Sequence, residues 1–237
     1  MLKINIRSIN AMKKLIVILI IIILAISITG CKNNNSSPKN NGSPKNNNQT
    51  NKVSKSDKIL IVYFSREGNT SGESTNLNVD AATRASLPIG NTRIIADQIH
   101  EATVGDIFKI QTVKPYPSDY DKVVDQAKKE QDSDYKPELK TKVKNIKSYD
   151  VIFIGYPNWW GTLPMPVEKF LSEYDLSGKT IIPFCTHEGS GFGRSIDDIK
   201  ELCPNSTIAD GFEVMNKDAK NAKNDVSKWL QNFGILK

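Results

Sequence analysis

From residue 57 onward, short apolar runs alternate with amphipathic ones. Lys58–Phe64 (KILIVYF), Asp150–Gly155 (DVIFIG) and Lys179–Cys185 (KTIIPFC) are nearly continuous apolar runs, the pattern of strands buried on both faces. Asp106–Gln111 (DIFKIQ) reads as a shorter strand, and Ser206–Val214 contains a weaker fifth. Pro183 has no N–H to give a ladder, so it is expected near the end of the fourth strand. The intervening stretches carry apolar residues at helical spacing. They are Thr92–Glu101 (Ile95, Ile99), Asp119–Glu130 (Val123, Val124, Ala127), Pro166–Glu173 (Val167, Phe170, Leu171), Ser195–Leu202 (Ile196, Ile199) and Asp218–Phe233 (Ala219, Ala222, Val226, Trp229, Leu230). Strand and helix in turn predict an α/β fold, a doubly wound five-stranded parallel sheet covered on both faces. In such sheets ligands bind beyond the carboxyl ends of the strands, where the winding reverses.

The pattern upstream is different. Met12 opens MKKLIVILIIIILAISITGC, in which Lys13 and Lys14 precede an apolar stretch, Leu15 to Ile28, too short for a comfortable membrane span. Its end, Ile28-Thr29-Gly30-Cys31, resembles a bacterial lipobox. That resemblance implies a signal peptide over 1–30, lipidation of Cys31 and an extracytoplasmic protein anchored to the cell membrane. Residues 32–56, rich in Asn, Lys and Ser with the repeat SPKNNG/SPKNNN, hold too little apolar surface to offset the entropy of ordering, and are expected to be a flexible tether. The domain is expected over 57–237.

Charge narrows the functions further. The whole chain of 237 residues carries a formal +6, which by itself hints at nucleic acid. Yet nine of the 32 basic residues and none of the 26 acidic ones fall in residues 1–56, leaving 23 against 26 in the domain, a net of −3. Nucleic-acid binding is therefore not expected. No Cys-x-x-Cys and no His/Cys cluster occurs, so no metal site is expected. Cys185 and Cys203 could form a disulfide in an exported protein or be two buried thiols.

Three loops follow the long apolar strands. The tripeptide Gly-Asn-Thr occurs twice after the first strand, at 68–70 and at 90–92. Only the second runs directly into a helical pattern, RIIADQIHEA. The helix is therefore expected to begin there, with residues 66–89 an excursion between strand and helix. Unpaired N–H groups and a positive dipole end favour an anion at this point. Ser65 and Thr92 offer hydroxyls, Asn91 an amide, and Gly90 a close backbone approach. The second loop, Tyr156-Pro157-Asn158-Trp159-Trp160-Gly161, places two tryptophans beside the crevice, where one can stack on a flat ring and the other cap the core. The third, Thr186-His187-Glu188-Gly189-Ser190-Gly191-Phe192-Gly193, has the glycines needed to bring backbone amides to a ligand edge.

Taken together, IVYFS, a GNT opening a helix, GYPNWWGTLPMPVEKFL and FCTHEGSGFGRS resemble the flavodoxin-like family over roughly residues 57–237. The resemblance implies strand order 2-1-3-4-5 and FMN as cofactor. It implies phosphate contacts from Ser65, Gly90, Asn91 and Thr92. It implies ring contacts from Pro157, Asn158, Trp159, Trp160 and Gly161, and edge contacts from Thr186, His187, Glu188, Gly189, Ser190 and Gly191. The family's short strand-to-helix loop is split here by the excursion; were the first copy the phosphate site, Arg66 and Gly68 to Thr70 would replace the second. The expected function is extracytoplasmic electron transfer with a redox partner protein. An alternative is an NAD(P)H-dependent flavin or quinone reductase with His187 as proton donor; another is a ligand-binding lipoprotein without redox chemistry.

Overall fold

The computed structural model describes residues 52–54, 56–71 and 89–235. The expected leader, Cys31, most of the tether and most of the 66–89 excursion lie outside these residues. The elements in chain order are β1 (Ile59–Tyr63), α1 (Asn91–Thr103), β2 (Asp106–Lys109), α2 (Tyr120–Asp132), β3 (Val151–Pro157), α3 (Met165–Glu173), β4 (Thr180–His187), α4 (Ser195–Leu202), β5 (Thr207–Ile208), β6 (Phe212–Met215) and α5 (Lys223–Gln231).

All strand pairs are parallel, in the order β2-β1-β3-β4-β5, with β6 also pairing with β4. The two-residue period of β1 sends Leu60, Val62 and Phe64 into one core and Ile61 and Tyr63 into the other. The first core is closed by Val123 of α2, Val167 and Phe170 of α3 and Ile199 of α4. The second is closed by Ile95 and Ile99 of α1 and by Val226, Trp229 and Leu230 of α5. Burial on both faces explains why the central strands are apolar without interruption; each such aliphatic side chain contributes roughly 1.5–3 kcal/mol.

Two details depart from expectation. Pro183 is not at a strand end but in the middle of β4, opposite Ile154 of β3. Thr180 gives its N–H to Asp150 on the β3 side, so the alternation turns the Pro183 nitrogen toward the other neighbour. There the ladder is broken: β5 pairs with residues 180 and 181, and β6 resumes at 184. The missing N–H thus falls in the gap that divides the single expected fifth strand into two. The last helix is likewise divided, into a 3-10 segment Asn216–Asn221 and α5. Ala219 and Ala222, both buried, are three apart and share one side of a 3-10 turn, whereas Val226 and Leu230 follow at the four-residue spacing of an α-helix.

The chain joins the domain at the amino ends of the strands. Val53 donates its N–H to the Phe233 carbonyl at 2.8 Å, and Lys58 N–H bonds the Asp150 carboxylate at 2.9 Å. The three loops lie at the opposite, carboxyl pole.

Candidate functional site

The second Gly-Asn-Thr opens α1. Gly90 is the N-cap residue, in extended conformation, and among the described residues no side chain caps the helix. A Cβ at Gly90 would stand 2.0 Å from Ser65 Oγ, so only glycine lets the helix start come this close to the end of β1. Ser65 and Thr92 are buried, and Asn91 is half-buried. The Thr92 and Thr186 hydroxyls are 2.8 Å apart, joining the helix start to the end of β4. An uncapped helix terminus converging with buried hydroxyls and no Cβ in the way fits an anion such as a phosphate ester. Around it runs a chain of charges: Glu67 bonds Lys109 at 2.9 Å and lies 3.5 Å from Arg93, which also reaches Asp97 at 3.4 Å.

The first Gly-Asn-Thr does something else. Asn69 is buried, and its Nδ2 donates to the Ser65 and Ile110 carbonyls at 2.9 and 3.0 Å. Its Oδ1 accepts the Thr112 N–H at 3.0 Å, and Thr70 Oγ1 donates to the Arg66 carbonyl. The Tyr116 N–H reaches the Asn69 carbonyl at 2.7 Å. This copy ties the first loop to the segment after β2, and its amide is fully spent.

In the second loop, Trp159 and Thr162 exchange backbone hydrogen bonds of 3.0 and 3.1 Å across a two-residue turn. Its central residues, Trp160 and Gly161, have φ of 52° and 81°. The two indoles part company. Trp159 packs on the core, edge-on to Phe64 and Tyr116, each at 5.3 Å. Trp160 is 51% exposed. Asn158 accepts from Gly161 N–H at 2.9 Å and donates to the Gly191 carbonyl at 2.7 Å, so it fixes the second loop against the third. Pro157 ends β3 opposite Thr186.

The third loop is held closely. The Gly189, Gly191 and Gly193 φ angles are all positive, and a Cβ at Gly193 would meet the Gly161 carbonyl at 2.1 Å. His187 is buried; its Nδ1 accepts the Gly189 N–H at 2.9 Å, so the neutral ring carries its proton on Nε2. Ser190 and Glu188 are exposed, and Glu188 accepts from Asn216 at 2.7 Å. Cys185, beneath the loop, and Cys203, after the far end of α4, are free, buried thiols, pushed up by burial to about 12 and about 11.

The residues expected at the site thus stand on three loops at one pole of the sheet. Sequence reasoning missed the supports: Glu213 of β6, whose carboxylate accepts the Phe192 N–H at 3.0 Å, and Asp198 of α4, which receives the buried Thr162 hydroxyl. Neither carries a local signal; only the repeated tripeptide marked the Asn69 strut. Among the described residues no group of side chains could hold a metal ion.

A sequence profile of the flavodoxin family matches residues 85–233, beginning just ahead of the second Gly-Asn-Thr. Among solved structures, a Bacteroides eggerthii protein described as a flavoprotein is 28% identical, with a TM-score of 0.58 over 75% of this chain and 98% of its own. A Lactobacillus acidophilus flavoprotein in complex with FMN is 19% identical, with a TM-score of 0.54 over 73% and 99%. At that identity the second supports the fold alone. No curated protein gives a significant match.

Proposed function

Since the chain belongs to the flavodoxin family, we propose that it is an FMN-dependent electron carrier, held on the outer side of a bacterial membrane through lipidated Cys31. The observation that carries the cofactor assignment is the uncapped start of α1, brought against Ser65 and tied to β4 by the Thr92–Thr186 hydroxyl pair. FMN, when bound, supplies reversible uptake of one or two electrons. The chain's own part is positional. Ser65, Gly90, Asn91 and Thr92 receive the phosphate, with the first-turn N–H groups contributing the positive end of the helix dipole. Pro157 to Gly161 form one wall for the ring, and Thr186 to Gly191 form the other, their separation set by the Asn158–Gly191 hydrogen bond. Backbone amides in the glycine-rich loop favour added negative charge at the ring edge.

The membrane anchor rests on the lipobox resemblance of Ile28 to Cys31. Cell fractionation tests it: the intact chain should sediment with membranes and Cys31→Ser should not.

A second reading, an NAD(P)H-dependent flavin or quinone reductase, has one observation in its favour. His187 offers a proton on Nε2 from the loop that would meet the ring. One experiment tests the cofactor and separates the readings. The purified chain is mixed with FMN, freed of excess, and its absorbance followed. A retained flavin band supports the cofactor, and its absence sinks it. Bleaching by NADPH alone supports the reductase; bleaching only by a chemical reductant or a separate reductase supports the carrier.

A further inference from the structure

On the α2 side of the Trp159–Thr162 turn lies a cavity of about 280 Å³, lined by Arg66, one face of α2 and Asn158, Trp159 and Trp160 of the second loop. Its floor is one stripe of α2: Tyr120, Val123, Val124 and Ala127, at the i, i+3, i+4, i+7 spacing of a single helix face. Val123 and Ala127 are buried, but the stripe runs on past the core, and Tyr120 is 67% exposed.

Trp160 forms the facing wall. A bulky side chain at φ 52° is uncommon and costs of order 1–3 kcal/mol, so something must hold it. The turn's paired backbone bonds do so from one side. From the other, the indole N–H donates to the Val124 carbonyl at 3.0 Å, bridging the loop to α2. The strained turn therefore holds a large aromatic half-exposed over an apolar floor. Trp159, beside it, has the core-packing role and also lines the cavity.

Among the described residues the lining carries one cation and no carboxylate. Arg66 stands 5.8 Å from the Tyr120 ring centre and donates to the Ser118 carbonyl. Lys128, paired with Asp132, adds a second positive group 5.9 Å from the Trp160 ring. Two aromatic walls, an aliphatic floor and a guanidinium at the rim suit a flat, partly apolar anion. Ligand pockets for drug-sized molecules run from about 300 to 1,000 Å³, so this one suits one or two fused rings.

We propose that this cavity is a second ligand site, for a small planar aromatic molecule bearing an anionic group, its ring against Tyr120 and Trp160 and its charge at Arg66. The floor on α2 and the cation Arg66 lie outside the residues proposed to hold FMN, whereas Asn158, Trp159 and Trp160 are shared with them. Occupancy would therefore bear on the second loop.

The test is calorimetric titration of the FMN-loaded chain with naphthalene-2-sulfonate, and with neutral 2-naphthol for comparison. The expected result is saturable binding of one sulfonate per chain. Tyr120→Ala should weaken both compounds at least tenfold. Arg66→Gln should weaken the sulfonate at least tenfold and the naphthol less than threefold. Val124→Glu, which sets a carboxylate in the lining, should also repel the sulfonate, and thermal melts establish that each variant is folded. Absence of saturable binding, or binding indifferent to Tyr120→Ala in a folded variant, overturns the site; equal loss of both compounds in Arg66→Gln overturns its anion preference. A chain that fails to retain FMN is titrated without it. Binding there with the same variant pattern upholds the site while the cofactor reading falls, and retained FMN without probe binding does the reverse.

Discussion

The same three residues, Gly-Asn-Thr, occur twice within 25 positions and meet opposite fates. At 68–70 the asparagine is sealed inside, and all of its amide is used by backbone groups of two segments. At 90–92 the asparagine is half-buried at a helix start that no side chain caps. The difference lies in the residues downstream of each copy. After Thr92 an amphipathic run supplies a helix with an apolar face to bury, and the backbone donors at its start meet no side-chain cap among the described residues. After Thr70 no such run exists, and the polar groups are satisfied against the neighbouring strand's extension. One copy is a strut and the other, in our proposal, a socket, and a motif search alone would score the two alike.

Substitutions can break this contrast. The largest effect is expected at the strut. Asn69→Leu leaves the Ser65 and Ile110 carbonyls and the Thr112 N–H buried without their partner, each costing about 1–3 kcal/mol. Urea unfolding should show a loss of at least about 3 kcal/mol. Asn91→Ala should change stability by less than about 0.5 kcal/mol, while weakening FMN several-fold in a flavin titration. Similar unfolding curves for the two variants would dissolve the distinction.

Gly90→Ala comes next. Its Cβ would displace Ser65 Oγ, so FMN affinity should fall at least tenfold, with a stability loss of about 1–2 kcal/mol from the crowding. At Gly68 a Cβ would meet only the tip of the Lys109 side chain, which can move, and the cost there comes instead from the backbone, whose φ of 75° strains any side chain. Thr92→Val removes a single hydroxyl pair and should cost about 1 kcal/mol, with Thr92→Ser restoring most of it.

The smallest effect at neutral pH is expected from alkaline titration. Burial raises Cys185 from 9.0 to about 12 and Cys203 from 9.0 to about 11. The folded state therefore holds these protons more tightly than the unfolded one. Their contribution is full below about pH 9 and is lost as pH rises toward 11–12, so stability should fall across that window. In Cys185→Ala and Cys203→Ala the fall should be shallower; an unchanged slope in both would assign it elsewhere.

Much of the fold was legible because burial on both faces leaves a plain mark: uninterrupted apolar runs such as DVIFIG admit few other readings. Helix α4 was expected at Ser195–Leu202 and is found there. The second Gly-Asn-Thr was identified as the helix start by the spacing of Ile95 and Ile99, and the structure agrees. Pro183 was misjudged because a proline's tolerance depends on what its neighbour strand does, and the β5–β6 break is encoded well downstream of it. The supports Glu213 and Asp198 were invisible for the same reason, and Asn69 was marked by the repeated tripeptide but not as a support. Each acts on a segment distant in sequence, and its identity alone says nothing of the partner.

The anchorage of Val53 on Phe233 has a mechanical meaning. It fixes the point where any pull from upstream enters the domain, at the pole opposite the three loops. The eight residues of β4 put about 26 Å between those poles. A chain grafted to a solid support or an electrode through its upstream segment would therefore turn its working face outward like a lamp on a stalk. Current from the support would have to arrive by reorientation of the whole head or by a diffusing mediator, whereas a partner arriving from the bulk would find the face already presented.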